Sequence, residues 1–374
     1  MPILLFGYLF LSALLVSLIL VPLARRLAIH LEVVDAPGER KVHHVRKALL
    51  GGVAIYLSFY LIVGLNLLLG STLSPHSELL NHYDFLRRLL PFPGQGGQLL
   101  LIFLTSTVIM LLGLADDIKG THFSYKIKFL VQICAACIVV FGGVRIQFMP
   151  SPILNYIVSV LWIVGITNAF NLLDNMDGLS AGVALISAFV LFLVVLSQGQ
   201  FASAMILMVY AGSVLGFLFY NFNPSSIFMG DSGSLFIGYL LAAFTLTNSY
   251  VIPESSSLLP VIMPVLILSI PLFDTFSVIV IRLRNRRPVF SGDTNHFSHR
   301  LVNLGLSQRG AVLLIYLITL CIGIGATLLP SLSVVQSIVV LGQAALIYLM
   351  ITVLMIINGK PKPKARQGLL KDDA

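Results

Sequence analysis

The hydrophobic positions of this chain gather into long runs that are separated by short polar segments. A helix needs about 20 apolar residues to cross a lipid bilayer. Runs of about that length lie near residues 3–23, 49–70, 98–115, 126–142, 152–169, 179–197, 202–221, 234–251, 258–281, 309–329 and 332–357. Backbone polar groups in lipid must be hydrogen-bonded within their own segment, and the strict alternation of a barrel strand is missing from these runs. The pattern predicts an all-α, polytopic membrane helix bundle with about 11 transmembrane helices.

The composition agrees with a membrane protein. The chain has 374 residues, of which 57% are hydrophobic and 10% are charged, and too few charges are present to cover a soluble domain of this length. The first apolar run is longer than a signal-peptide core, and Arg25 and Arg26 follow it instead of preceding it. We expect a retained first span with the N-terminus outside. Residues 1–357 are predicted to form a single integral-membrane domain, and residues 358–374 a basic cytoplasmic tail.

The basic residues are distributed unequally over the two sides of the predicted bundle. With eleven spans and the N-terminus outside, 20 of the 23 Lys and Arg residues fall in inside segments, and only Arg87, Arg88 and Arg145 fall outside. Cytoplasmic loops of membrane proteins carry such an excess of Lys and Arg, so the C-terminus is predicted to be cytoplasmic. The positive charge then faces anionic lipid headgroups and requires no nucleic acid as a partner.

Four polar clusters lie on this inner side. The first is an acidic pair at the end of the third span, followed by three lysines: Asp116, Asp117, Lys119, Lys126 and Lys128. The second has steps of three residues, which place its members near one helix face if the segment is helical: Asn168, Asn171, Asp174 and Asp177. In the third, Asp231 and Ser232 in a glycine-rich segment can start a helix with free N–H groups. The fourth is the basic loop 282–309, with His296, His299 and Arg300.

These residue types indicate one kind of chemistry. Carboxylate and amide oxygens without cysteine suit Mg²⁺, with Mn²⁺ able to substitute. Arg, Lys and His supply countercharge for diphosphate oxygens, so the clusters favour phosphoryl transfer to or from a lipid. Two other interpretations stay open at this point. Each Asp at a span end could be a helix cap or an ion-pair partner, and intramembrane carboxylates also mark the ion pathways of proton-coupled transporters.

Several motifs together resemble the polyprenyl-phosphate N-acetylhexosamine-1-phosphate transferase family, a group of membrane glycosyltransferases. The resemblance runs from Asp35 to about Gly310 and rests on DAPGERKVHH and GGVAIY, GLADD, KIKFLVQ, NAFNLLDNMDGLSAG, FMGDSGSLFIG and PLFDTFSVIVIRL, in that order. It implies an enzyme of the bacterial inner (cytoplasmic) membrane with its active site on the cytoplasmic face. The count of eleven spans resembles the GlcNAc-1-phosphate branch more than the translocase that takes phospho-MurNAc-pentapeptide.

The resemblance also implies roles for individual residues. Asp116 and Asp117 would be the catalytic acidic pair that handles the polyprenyl phosphate, and Asp231, with Asn171, would bind the metal. The remaining matched positions would bind substrate: Lys126, Asn168, Asp174, Asp177, His296, His299 and Arg300. The family's HxHH motif aligns with residues 296–299, where Ser298 stands in place of a histidine.

The implied reaction moves a sugar-1-phosphate, most simply GlcNAc-1-phosphate, from a UDP-amino sugar to undecaprenyl or another polyprenyl phosphate, with release of UMP. It would be the first membrane step of a cell-envelope polysaccharide. Direct attack by the lipid phosphate is favoured over a covalent aspartyl-phosphate. A UDP-MurNAc-pentapeptide donor and a proton-coupled transporter remain the alternatives, and a homodimer is compatible with the sequence.

Overall fold

The computed structural model describes residues 2–35, 46–72, 96–120, 123–248, 250, 259–288 and 295–357. Nearly all of these residues are helical. The α-helices are α1 (Pro2–His30), α2 (Gly51–Thr72), α3 (Gly96–Lys119), α4 (Tyr125–Phe141), α5 (Pro152–Leu173), α6 (Leu179–Ser197), α7 (Phe201–Asn221), α8 (Gly230–Thr247), α9 (Met263–Ile267), α10 (Ser269–Arg284), α11 (Phe297–Asn303), α12 (Gln308–Leu328) and α13 (Val334–Ile357). Short 3₁₀ turns lie at Leu259–Ile262 and Leu329–Ser331.

The predicted all-α membrane bundle is confirmed. Within the described ranges, eight helices are long and apolar enough to cross a membrane, namely α1, α2, α3, α5, α6, α7, α12 and α13. The other predicted spans fall on α4, α8 and the α9–α10 pair, whose longest helix has 18 residues. The count of eleven and the sides of the two termini therefore stay predictions, and the predicted tail at 358–374 lies outside the described residues.

The ninth predicted span is not one continuous helix. It divides at Leu268 into α9 and α10, although the apolar run 258–281 predicts a single element. Pro271 has no N–H to donate to the carbonyl of Ile267 four residues earlier. The hydroxyl of Ser187 on α6 donates to that carbonyl instead, at 3.1 Å. The break therefore has a local cause in proline and a tertiary partner that satisfies the freed carbonyl.

Helix α8 lies at the centre of the bundle and packs against α2, α3, α5 and α6. Its residues from Ser232 to Thr245 are all buried, so the helix has no lipid-facing side. The crossing with α3 is close: a Cβ atom on Gly113 would lie 2.4 Å from the carbonyl oxygen of Asp231. Small residues allow helix backbones to approach in this way in membranes. The close crossing brings the end of α3 against the first turn of α8.

A small antiparallel pair of strands joins α1 to α2 and supports the start of α8. Strand β1 (Val34–Asp35) pairs with β2 (Lys47–Ala48). The chain after β2 runs beside the segment that precedes α8, with Gly52 N donating to the carbonyl of Met229 at 2.8 Å. The Lys47 ammonium also donates to the carbonyl of Ser225. The residues between the strands, 36–45, lie outside the described part of the chain.

Candidate active site

Four helices bring charged side chains together beside the first turn of α8. Lys128 of α4 donates to Asp116 Oδ2 of α3 at 2.7 Å and also to Asp231 Oδ2 of α8. Asn171 of α5 donates to Asp231 Oδ1 at 2.9 Å, and its amide also reaches Ser234 Oγ at 2.9 Å. Residues separated by more than 100 positions thus share one network. This arrangement brings together members of three of the four predicted clusters.

The second member of the acidic pair is held differently from the first. Asp117 accepts hydrogen bonds from the backbone N–H groups of Asp231 at 2.7 Å and Ser232 at 3.0 Å, so both of its carboxylate oxygens are engaged. Carboxylates stabilise helix N-termini because they satisfy N–H groups that have no partner inside the helix. Gly230, at φ +72, enters this turn where a Cβ would lie 2.5 Å from the Asp117 carboxylate. The expectation of free N–H groups at Asp231 and Ser232 is therefore wrong, because Asp117 accepts from both.

The second cluster is only partly on one helix face. Helix α5 ends at Leu173, and Asp174 follows it as the C-terminal cap. Asn168 and Asn171 do share a face, and Asn168 donates to Gln132 of α4 at 2.5 Å, four residues beyond Lys128. The turn that follows contains Gly178 at φ +78, so the step of three does not continue as helix.

Asp174 has an unusual environment for a carboxylate. Its side chain accepts no hydrogen bond from any residue that the structure describes. Desolvation in this enclosed position raises the pKa of the Asp174 carboxyl to about 8, and the negative charges of Asp231, Asp117 and Asp177 contribute to the rise, in that order. A carboxyl group with a raised pKa among other carboxylates marks a place where positive charge is in deficit. The site can accept a cation there.

Asp177, by contrast, is engaged by the segment that precedes α8. Ser225 donates to it through its N–H at 2.9 Å and through its hydroxyl at 2.8 Å, and Asn223 adds a contact at 3.2 Å. The amide of Asn223 also reaches Gln308 of α12 at 2.9 Å. Asp177 therefore fixes the approach to α8, and its oxygens do not face the network around Asp231.

Residues 296–300, here called the histidine loop, pack against α10. His296 Nδ1 lies 2.7 Å from Asp274 Oδ2, and the N–H of Phe297 donates to Asp274 Oδ1 at 2.5 Å. One turn further along α10, Ser277 accepts from the guanidinium of Arg300 at 2.5 Å. The ring of His299 meets that of His296 edge-on, with 6.4 Å between centroids. All three predicted residues of this loop therefore lie together.

Ser298, which departs from the family motif, is buried and has a defined partner. Its hydroxyl donates to Asn175 Oδ1 at 2.6 Å, and the Asn175 amide donates in turn to the carbonyl of Leu172 at 2.7 Å. The bond ties the histidine loop to the residues just after α5. The loop is thus held to Asn175, the residue after Asp174.

Lys128 is a member of the first predicted cluster to which the sequence assigns no role of its own. The resemblance pointed to Lys126, whose side chain is exposed, whereas Lys128 makes both ion pairs of the network. The signal was present in the spacing: Lys128 and Gln132 are four residues apart and share a helix face. Gln132 is polar and buried, so the face that it marks is the one that points into the bundle.

The donor set suits a hard divalent cation that also uses substrate oxygens. Within the described residues, no three His, Cys, Asp or Glu side chains are placed to enclose a metal ion by themselves. Mg²⁺ usually takes only one or two protein carboxylates and completes its shell with water and substrate phosphates. Asp231, the amide oxygen of Asn171 and Asp174, whose side chain has no hydrogen bond among the described residues, could offer oxygen ligands of this kind. The ammonium of Lys128 supplies a countercharge to Asp231. These residues fit the predicted Mg²⁺.

Comparisons with known proteins agree with the geometry. The model of glycosyl transferase family 4 matches residues 99–249. A "Probable undecaprenyl-phosphate N-acetylglucosaminyl 1-phosphate transferase" from Bacillus subtilis is 36% identical over 86% of this chain and 84% of its own length. A "Decaprenyl-phosphate N-acetylglucosaminephosphotransferase" from Mycolicibacterium smegmatis is 34% identical over 90% of this chain and 85% of its own. A "Phospho-N-acetylmuramoyl-pentapeptide-transferase" from Chlamydia muridarum matches only 34% of this chain, at 38% identity. The chain is a multi-pass membrane protein that belongs to glycosyl transferase family 4.

Proposed function

We propose that this protein transfers GlcNAc-1-phosphate from UDP-GlcNAc to a polyprenyl phosphate and releases UMP. The observation that carries the proposal is the network of Asp116, Lys128, Asp231 and Asn171, which joins two carboxylates, an ammonium group and an amide from four helices at the start of α8. Such a network offers oxygen ligands for a cation and an ammonium group for phosphate oxygens in one place. Relatives that match almost the whole chain carry the names of polyprenyl-phosphate GlcNAc transferases, which supports the choice of donor and acceptor.

The bond changes are those of a direct displacement. An oxygen of the lipid phosphate attacks the phosphorus that bears the sugar, a new P–O bond forms, and the P–O bond to UMP breaks. A phosphate monoester has a second pKa of about 6, so the acceptor is already mostly dianionic at neutral pH and needs no general base. Asp117 is a poor candidate for a covalent nucleophile because backbone N–H groups hold both of its oxygens. These points favour direct attack over an aspartyl-phosphate.

The chain's own residues position and neutralise the reacting groups. Asp231 and the amide oxygen of Asn171 would hold Mg²⁺, and Asp174 stands near enough to act electrostatically. The bound ion would supply positive charge to the donor diphosphate. The ammonium of Lys128, already between Asp116 and Asp231, would supply a second positive charge to phosphate oxygens. The histidine loop, docked beside Asp174 through Ser298, would face the soluble donor.

The orientation of the site follows from the distribution of basic residues. All of the polar clusters lie at span ends that the positive-inside rule places in the cytoplasm. UDP-sugars are cytoplasmic metabolites with two phosphates, and the polyprenyl phosphate presents its headgroup at the inner leaflet. We therefore propose that the site opens on the cytoplasmic face of a bacterial inner membrane.

An assay with defined substrates tests the function. Purified protein is incubated with Mg²⁺, undecaprenyl phosphate and, separately, UDP-GlcNAc, UDP-GalNAc and UDP-MurNAc-pentapeptide, and the lipid product is identified by mass. We expect a lipid-linked GlcNAc diphosphate and an equal amount of UMP from UDP-GlcNAc. Asp231→Asn is the matched control and should form neither. A product only from UDP-MurNAc-pentapeptide would overturn the choice of donor, and no UMP from any donor would overturn the enzyme class.

A further inference from the structure

Asp274 is a buried carboxylate that the reaction described above does not use. It lies on α10, and both of its oxygens point to the histidine loop: one to the ring of His296 at 2.7 Å and one to the N–H of Phe297 at 2.5 Å. Ionised carboxylates inside a membrane protein are costly, and they persist where they have a partner or a function. Asp274 therefore holds a specific side chain in place.

The two ring nitrogens of His296 differ: Nδ1 is held by Asp274, and Nε2 has no hydrogen bond among the described residues. Its side chain is only 7% exposed, and Asp274 occupies its Nδ1. Its Nε2 makes no hydrogen bond with any described residue. An imidazole whose orientation is set at one nitrogen, with the other left for a ligand, is the usual arrangement of a functional histidine held by a carboxylate.

The residues that follow His296 hold the loop against the elements that border the site. Ser298, two residues on, is bonded to Asn175 beside Asp174. Phe297 packs edge-on against Phe273 of α10, with 5.4 Å between ring centroids, so the loop cannot swing away from the helix without exposing a buried ring. Three consecutive residues of the loop are thus fixed to the elements that border the site. Among the described residues, Nε2 of His296 has no hydrogen-bond partner.

We propose that Asp274 is a positioning residue that holds the His296 imidazole so that its Nε2–H donates to the diphosphate of the sugar donor; this rests on the proposed function. With Nδ1–H held by Asp274, donation from Nε2 needs the ring to carry a proton on both nitrogens. The Asp274 carboxylate supplies the countercharge for that form. Asp274 does not touch substrate itself, so its whole effect on donor binding passes through His296.

A double-mutant cycle tests the proposal. The variants are Asp274→Asn, His296→Gln and the double variant, and Ser269→Ala serves as the control, because it removes a buried hydrogen bond from Tyr348 earlier in the same helix. Asn keeps an acceptor for the N–H of Phe297, so the start of α11 is retained. Full-length protein in nanodiscs is titrated with UDP-GlcNAc and with UDP by calorimetry, and kinetics and thermal melting are measured in parallel.

We expect each single variant to weaken UDP binding about tenfold, the effect of losing one hydrogen bond to a charged group. The double variant should bind no more weakly than His296→Gln, because residues that act through one another are not additive. KM for UDP-GlcNAc should rise while kcat at saturation changes little, and Ser269→Ala should keep wild-type affinity. Unchanged UDP affinity in Asp274→Asn, or losses that multiply in the double variant, would overturn the proposal. Wild-type protein that binds UDP but releases no UMP would refute the proposed function, whereas the UDP affinities of the four variants would still show whether Asp274 acts through His296.

Discussion

The carboxylate of Asp117 accepts a hydrogen bond from the backbone N–H of Asp231 at 2.7 Å, although the two residues belong to different helices of the bundle. Its other oxygen accepts from the next N–H of the same helix at 3.0 Å. The acidic pair at the end of α3 therefore divides into two roles. Asp116 pairs with Lys128, and Asp117 sets the first turn of α8 and with it the direction of the Asp231 side chain.

We predict that Asp117→Asn chiefly lowers kcat, by about ten- to a hundredfold, the range seen when a residue that orients a metal ligand is changed. An Asn side chain keeps one acceptor oxygen and loses the other, so one N–H at the start of α8 loses its partner. The loss should also cost about 1–2 kcal/mol of stability. Steady-state kinetics and calorimetric titration of UDP-GlcNAc measure both, and donor affinity should stay close to the wild-type value.

The matched control for this prediction is Asp116→Asn, which removes an ion pair with Lys128 but keeps the hydrogen bonds from the backbone N–H groups of Asp231 and Ser232 to Asp117. Thermal melting should separate the two, with the larger drop in Tm for Asp117→Asn. If Asp117→Asn lost donor binding while its melting temperature stayed at the wild-type value, Asp117 would be a ligand-binding group and not a positioning residue.

The structure places Lys128 in the network, whereas the resemblance implies Lys126, and substitutions of the two lysines distinguish between them. We predict that Lys128→Gln lowers kcat/KM by at least about a hundredfold, because it removes a positive charge that lies between two carboxylates. Lys126→Gln changes an exposed side chain of the same helix and should stay within about threefold of wild type. UMP release under identical conditions measures both. The reverse order of effects would show that the exposed lysine is the one that meets substrate.

Asp174 and Asp177 are three residues apart, but their substitutions should have different effects, the first on cation binding and the second on stability. Asp174→Asn removes a carboxylate without a hydrogen-bond partner among the described residues, so it should weaken Mn²⁺ binding without lowering Tm. Asp177→Asn disturbs the bonds from Ser225 and Asn223 and should lower stability by about 1–3 kcal/mol. Electron paramagnetic resonance of Mn²⁺ and thermal melting give the two readouts. Equal effects of both changes on Mn²⁺ affinity would place Asp177 in the cation site as well.

The apolar pattern predicted the helices well, and their ends less well. The third run was expected to end at residue 115, whereas α3 continues to Lys119. Hydrophobicity marks where a helix leaves the lipid, but the backbone continues through Asp116 and Asp117 because their side chains find partners on α4 and α8. The division of the ninth span at Leu268 depends on Pro271. Hydrophobicity alone does not reveal the effect of this proline on the helix.

The sequence predicts which residues belong to the site, but it does not predict the role of each residue within it. Sequence spacing relates residues within one helix, so it could place Asn168 and Asn171 on one face. The contact of Asp117 with the start of α8 spans 114 residues and arises only from tertiary packing. For the same reason the choice between Lys126 and Lys128 needed the orientation of α4. The predicted Mg²⁺ or Mn²⁺ requirement and the homodimer stay predictions.

The topology makes a separate prediction, which residues 198 and 287 can test. Gln198, between α6 and α7, is predicted to lie outside, and the exposed Arg287, after α10, inside. In a background without Cys134, Cys137 and Cys321, Gln198→Cys should react with a membrane-impermeant maleimide added to whole cells, and Arg287→Cys only after lysis. Reaction of Arg287→Cys in intact cells would reverse the predicted orientation and move the site to the other face.

In the proposed reaction the protein transfers the sugar together with its phosphate, by attack of a lipid phosphate on the sugar-bearing phosphorus. UDP-GlcNAc radiolabelled at the β-phosphorus tests this most directly, with purified protein, Mg²⁺ and undecaprenyl phosphate. We predict that all transferred label appears in a lipid diphosphate and that the released nucleotide is unlabelled UMP. Label that leaves as UDP, with sugar alone on the lipid, would contradict it.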